Sequence, residues 1–188
     1  DTINIFFIKI RWRNTRLQAI ISSTNFDKKN IDSIVNKVFE MAKVVPKNEY
    51  CGLANTYEVK KVDSLELSKL KLVDKKNIPM KKITEKVLEL EQSALENKKI
   101  INSEGAEISV SKDKYILLGS NGLSLEFEKT TNSFIVAVLA GDTESMERHY
   151  DYKFKINFDD LGNFKKIGKN VAINAVKKIN SRKVKTCK

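Results

Sequence analysis

The segments Ile101-Asn102-Ser103-Glu104-Gly105-Ala106, Gly119-Ser120-Asn121-Gly122, Leu139-Ala140-Gly141-Asp142 and Met146-Glu147-Arg148-His149-Tyr150-Asp151-Tyr152 stand in this order in the middle of the chain. Short runs of alternating apolar and polar residues lie between them. A period of two is the mark of a strand, and Asn-Gly is a strong hairpin turn because both residues accept a positive φ. The pattern predicts five strands in a meander, over about 106–111, 115–118, 123–128, 133–140 and 146–154. Lys112-Asp113 reads as the end of the first strand. Leu123, Leu125 and Phe127 share one face of the third. The fourth, Ser133 to Ala140, is apolar through its centre and belongs in the middle of a sheet.

Working outward, three helices flank the meander. Asp27 is placed to cap the first, over 28–45. Ile31, Ile34, Val35, Val38, Phe39, Met41 and Ala42 recur in it at helical spacing, and Pro46 stops it. The second runs over 79–97, with Pro79 in its first turn and Ile83, Val87, Leu90 and Ala94 along one face. The third runs over 163–180, where Gly168 would let the helix approach the sheet. Its basic end, Lys177-Lys178 and Arg182-Lys183, complements the helix dipole. Two strands precede all this, Ile3 to Trp12 and Leu17 to Ile21, with a turn at Arg13-Asn14-Thr15-Arg16. Residues 46–78 have no sustained period and read as a long surface excursion. Hairpins with helices before and after argue for an α+β fold of two layers, an antiparallel β-meander sheet with helices packed on one face. Residues 1–188 are expected to form a single domain.

The composition is that of a globular protein, with 41% hydrophobic and 31% charged residues. No apolar run reaches the roughly 18 residues that span a bilayer, so no membrane partner is expected. The opening lacks the basic start and the cleavage site of a signal peptide. The chain begins at Asp1, not Met, so its true start is expected upstream. The net charge is +11, which raises a nucleic-acid partner. Only five of the 35 Lys and Arg residues are arginine, and the lysines are scattered along the chain. A base reader would use more arginine, whose planar fork fits phosphates and guanine edges. Cys51 and Cys187 form no metal-binding pair and read as free thiols of a reducing compartment.

The search for chemistry yields one dense patch. Glu147, Arg148, His149, Tyr150, Asp151 and Tyr152 lie on one predicted strand, with Glu147, His149 and Asp151 on one face and Arg148, Tyr150 and Tyr152 on the other. On residues alone this is first a cross-strand ladder of ion pairs and rings. The functional reading is a wall that meets an extended peptide. His149 is the one histidine, and no HExxH-like spacing accompanies it. There is no GxSxG elbow, GxGxxG or Walker A loop. No catalytic residue and no metal ligand is assigned.

In order and spacing the markers resemble the TldD/PmbA (TldE) family, metal-dependent peptidases of the U62 type and their non-catalytic partner subunits. The resemblance runs from about Gln18 to Thr186. It includes Ser22-Ser23-Thr24, Met41-Ala42-Lys43, Tyr50-Cys51-Gly52-Leu53-Ala54 and Asn102-Ser103-Glu104-Gly105-Ala106. It continues through Asn121-Gly122, Ala140-Gly141-Asp142, Ile167-Gly168 and Ser181-Arg182-Lys183-Val184-Lys185-Thr186. Met146 to Tyr152 is its most specific piece. The resemblance implies the N-terminal domain of a PmbA/TldE-like subunit in a cytoplasmic metallopeptidase complex that acts on unfolded or leader peptides. It implies that zinc is held by a TldD-type partner subunit and that this chain carries no cofactor and no catalytic step. The family's opening helix and C-terminal domain are not matched, so a fragment or truncated product is expected. Implied partners are a TldD-type subunit or a second copy, and peptide substrates. The family's link to modulation of DNA gyrase raises the alternative, a basic nucleic-acid-binding module.

Scattered lysines give a counterion-release term with little base readout. Binding of a labelled duplex, followed by anisotropy, should therefore be weak, indifferent to sequence and largely lost between about 50 and 200 mM salt. Sequence-selective binding that survives physiological salt would reverse this expectation.

Overall fold

The computed structural model of the chain describes residues 3–12, 17–60, 63–142 and 145–181. The elements are β1 (Phe6–Trp12), β2 (Leu17–Ser23), α1 (Lys28–Val44), α2 (Ser64–Lys69), α3 (Met80–Leu95), β3 (Ile100–Leu118), β4 (Ser124–Gly141), β5 (Met146–Lys155) and α4 (Phe164–Val176), with 3-10 turns at Thr56–Glu58 and Phe158–Leu161. The fold is α+β. Among the described residues it holds two antiparallel sheets, β1-β2 and β3-β4-β5. The chain divides into two compact units, Asp1–Lys61 with Leu118–Leu123, and Val62–Leu117 with Ser124–Lys188.

In the first unit β1 and β2 pair from Phe6↔Ser23 to Trp12↔Leu17. The turn expected at 13–16 lies outside the described residues. On α1 the buried positions Ile34, Val38 and Ala42 recur every fourth residue, and Val38 and Ala42 pack with Ala19, Ile8, Ile10 and Ile21. Asp27 occupies the N-cap position, yet its side chain makes no cap bond. Its amide is instead held by the Asn25 side chain at 2.8 Å. The Asn121 side chain donates to the Ala54 carbonyl at 3.1 Å.

The second unit carries the larger core. Phe134, Val136, Val138 and Ala140, every second residue of β4, pack with Leu90 and Ala94 of α3 and with Phe164, Val171, Ala172 and Ala175 of α4. The expected five short strands are three long ones, because the polar stretches taken for breaks run on as strand. Lys112 pairs with Glu128 at 2.9 Å and Lys114 with Glu126 at 2.7 Å, so these charges bridge β3 and β4 at the surface. Thr130 and Asn132 are buried inside β4, Asn132 at 1% exposure. Both side chains donate to the Ile156 carbonyl, at 2.8 and 2.6 Å. Thr130 Oγ1 also accepts from the Asp74 amide at 2.8 Å, and Asp74 accepts from the Phe158 amide at 2.9 Å. Buried polar groups are thus paired, as they must be away from water.

The excursion over 46–78 contains α2, which the absence of a long period hid. Its local signal is Asp63, which accepts from the Glu66 amide at 2.7 Å. At the end of β4, Gly141 has φ +114, and a Cβ there would lie 1.9 Å from the Ser145 carbonyl oxygen. The turn expected at Gly141-Asp142 therefore requires glycine.

Gly168 serves a close approach, but to a helix and not to the sheet. A Cβ on it would stand 2.1 Å from Ser93 Oγ, 2.3 Å from the Leu90 carbonyl and 3.0 Å from the Ala94 amide. Ser93 can rotate; the α3 backbone cannot. Gly168→Ala gains up to about 1 kcal/mol of helix propensity and loses more to overpacking, for a net cost of roughly 1–2 kcal/mol. A thermal melt should fall by several degrees; an unchanged or raised midpoint would mean that the helices have room to part.

Candidate functional site

β5 pairs with β4 through Ala140↔Glu147, Val138↔His149 and Val136↔Asp151, and through Leu139↔Arg148, Ala137↔Tyr150 and Ile135↔Tyr152. Directly paired residues share a face of the sheet. Glu147, His149 and Asp151 therefore follow the buried residues of β4 toward the helices, and Arg148, Tyr150 and Tyr152 take the opposite face. The structure brings the six together as two rows on two sides, and does not converge them on one point.

The row away from the helices is a continuous aromatic surface. Tyr150 and Tyr152 stack at 6.2 Å, and Tyr152 meets Phe154 edge-on at 5.9 Å. The Arg148 guanidinium lies 5.1 Å from the Tyr150 ring and bonds Glu104 at 2.6 Å. Tyr150, Tyr152 and Phe154 are 48%, 56% and 62% exposed, and Ile135 beside Tyr152 is also exposed. A shallow pocket of about 270 Å³ opens next to the row, lined by Glu104, Ala106, Ile135, Ala137 and Arg148. Rings, an apolar floor and a guanidinium held in place by a carboxylate can take up extended chain through stacking and apolar contact.

The other row is tied to the fold. Partial burial and the Lys178 ammonium hold the His149 imidazole below its ordinary value of 6.5, against a smaller upward pull from Asp151. Lys178 also donates to the Arg148 carbonyl at 2.9 Å. A cation beside the lone imidazole opposes metal binding there. Among the described residues, no three His, Cys, Asp or Glu side chains stand close enough to hold a metal ion. A larger groove of about 800 Å³ lies elsewhere in the second unit, between Leu67, Leu72, Val73 and Phe127, with Lys71 and Lys75 on its lining.

Sequence reasoning passed over Phe154 and Glu104 as members of the patch. Phe154 was legible as the next step of the period-two row. Glu104 reaches Arg148 across 44 residues of chain, which no local pattern reports.

A model of the PmbA/TldA metallopeptidase central domain matches residues 74–179. A metalloprotease PmbA homolog of Haemophilus influenzae is 26% identical over 88% of this chain. One of Buchnera aphidicola from Acyrthosiphon pisum has the same identity and coverage. The chain spans 36% of the length of each of these relatives. Among solved structures, a protein of Bacteroides thetaiotaomicron described as a modulator of DNA gyrase superposes with a TM-score of 0.68 at 23% identity, over 90% of this chain and 38% of that one. TldE of Thermococcus kodakarensis gives 0.53 at 17%, over 92% and 37%. At these identities the likeness to the solved structures is one of fold.

The depressed His149 sets a pH dependence. The fold favours neutral imidazole, so this contribution to stability is complete above 6.5 and fades as pH falls below it. It is small, since the ring is partly solvated. Denaturant midpoints of wild type and His149→Gln, measured between about pH 7.5 and 5, should separate on the acid side, where the wild type alone must charge its imidazole and falls further. Parallel curves would remove His149 from the effect.

Proposed function

The chain belongs to the PmbA/TldD metallopeptidase family, and we propose that it is a non-catalytic, peptide- and partner-facing domain of a PmbA/TldE-like subunit. In this reading residues 1–188 are the N-terminal part of such a subunit and carry its central domain over residues 74–179, working in a cytoplasmic complex that cuts unfolded or leader peptides. The chain's own part is to line the chamber or the partner interface. The reaction's zinc then belongs to a TldD-type partner subunit.

The observation that carries the reading is the exposed row of Arg148, Tyr150, Tyr152 and Phe154. Large rings that could have been buried are kept at the surface in one line, beside an arginine already oriented by Glu104. Tyr and Arg are the side chains that most often dominate binding surfaces. An extended chain crossing them would gain stacking and apolar contact without needing a fixed sequence, which suits peptides of varied composition. The same row also suits the apolar centre of a subunit interface.

No helix of the described residues is long and apolar enough to cross a membrane.

Binding of a labelled, unstructured peptide and capture by a TldD-type subunit should both weaken by about tenfold in Tyr152→Ser and in Arg148→Glu. Circular dichroism should show both variants folded, since the side chains are exposed. Undiminished binding of peptide and partner by both variants would sink the proposal.

A further inference from the structure

The sheet order β3-β4-β5 makes β5 an edge strand. An edge presents unpaired main-chain groups, and proteins cover or guard such rows. Which groups face outward can be read from the register. The Gly141 amide donates to the Lys99 carbonyl, on the β3 side of β4. Odd-numbered residues of β4 therefore turn their main-chain groups toward β3, and even-numbered ones toward β5. Through the pairs Val138↔His149 and Val136↔Asp151, it is His149 and Asp151 that bond β4. Arg148, Tyr150, Tyr152 and Phe154 point their N–H and C=O groups to the open side. Two hydrogen bonds agree: Lys178 Nζ donates to the Arg148 carbonyl at 2.9 Å, and the Tyr152 amide donates to Asp151 Oδ1 at 2.8 Å.

We propose that β5 is the seam of a symmetric dimer, pairing antiparallel with β5 of a second copy of this chain about a two-fold axis at Tyr150. Charge complementarity selects this occupant and this register. With Tyr150 opposite its own symmetry mate, Glu147 faces Lys153, His149 faces Asp151, Arg148 faces Tyr152 and Met146 faces Phe154, each across the axis and each twice. Moving the axis to Asp151 sets that carboxylate against itself. Moving it to His149 sets Glu147 against Asp151. Moving it to Tyr152 puts Asp151 opposite Lys153 but sets His149 against Lys155 and leaves Glu147 opposite Asn157, one opposite-charge pair fewer. Like charges directly opposite are destabilising. In the Tyr150 register the Tyr152 amide meets the Arg148 carbonyl of the other copy. These are the two groups that side chains hold in the single chain, so Lys178 and Asp151 give way as the strands join. Lys153 Nζ donates to the Leu161 carbonyl at 3.1 Å and keeps two further hydrogens for Glu147. The product is a six-stranded sheet whose aromatic row runs on into that of the second copy. The seam uses the backbone edge, whereas peptide and partner capture uses the ring faces, so either can fail without the other.

Sedimentation equilibrium of the full chain tests this. Wild type should show a reversible monomer–dimer equilibrium. Glu147→Lys puts two lysines opposite each other twice and should weaken the dimer by about tenfold. Glu147→Lys with Lys153→Glu should restore it to within about threefold. Tyr150→Pro removes an outward amide, which an edge strand tolerates, and should leave a folded monomer; if that variant does not fold, the charge exchange decides alone. A monomer at every concentration reached, a dimer indifferent to Glu147→Lys, or a double variant no tighter than the single one overturns the proposal. So does protection of the β5 edge amides from hydrogen exchange by an unstructured peptide in a chain that stays monomeric, which would assign the edge to peptide.

Discussion

The second unit depends on how closely α4 can lie on α3. At Gly168 the two backbones come within a distance that no side chain could occupy. With Leu90 and Ala94 on one helix and Val171, Ala172 and Ala175 on the other, the pair forms one apolar layer. That layer covers a sheet face only if β4 gives it every second side chain. Phe134, Val136, Val138 and Ala140 do so. The pleat then sends Ile135 to the far side, and the register carries Tyr150 and Tyr152 with it. The exposed aromatic row is in this sense dictated from the opposite face of the sheet.

What stops β4 from sliding is its polar end. A slip of one residue would turn the apolar set outward and would also strand Thr130 and Asn132 without the Ile156 carbonyl. A buried amide with a fixed partner costs far more to misplace than a valine, because its lost hydrogen bond is not replaced by water. The apolar half of the strand supplies attraction and its polar half supplies the alignment. Residues chosen for the second role look wrong for a strand when read alone.

That is why the sequence alone suggests five short strands in the meander where the structure has three long ones, while the fold class is plain in it. Helix α1, with apolar residues every three or four positions, and α3, behind Pro79, announce themselves locally. So do the Asn121-Gly122 and Gly141-Asp142 turns. The two faces of the strand from Met146 are equally local, since they follow from alternation. Lys112-Asp113 and the stretch Lys129 to Asn132 have the composition of a break, and only their partners, Glu128 and Ile156, make them strand. Gly168 was recognisable as a close-approach residue, but what it approaches is a matter of tertiary packing. The match to a family through scattered markers reaches further than any of these local readings. Glu104 stands among those markers, and nothing local to it signals its contact with Arg148.

The tie from Asp74 to Phe158 also sets an order of events during synthesis. The β3–β4 hairpin can zip locally as soon as its turn has left the ribosome. The Asp74 carboxylate must wait until 84 further residues have been made before the Phe158 amide exists for it to hold. Thr130, bridging the Asp74 amide and the Ile156 carbonyl, is in the same position. Contacts so distant along the chain form late and slow the folding of the unit that needs them. The nascent protein can therefore seat the 72–76 segment on β4 as soon as Thr130 has been made, through the Thr130 amide and the Leu72 carbonyl at 3.0 Å. It locks that segment only when residues 156–158 arrive.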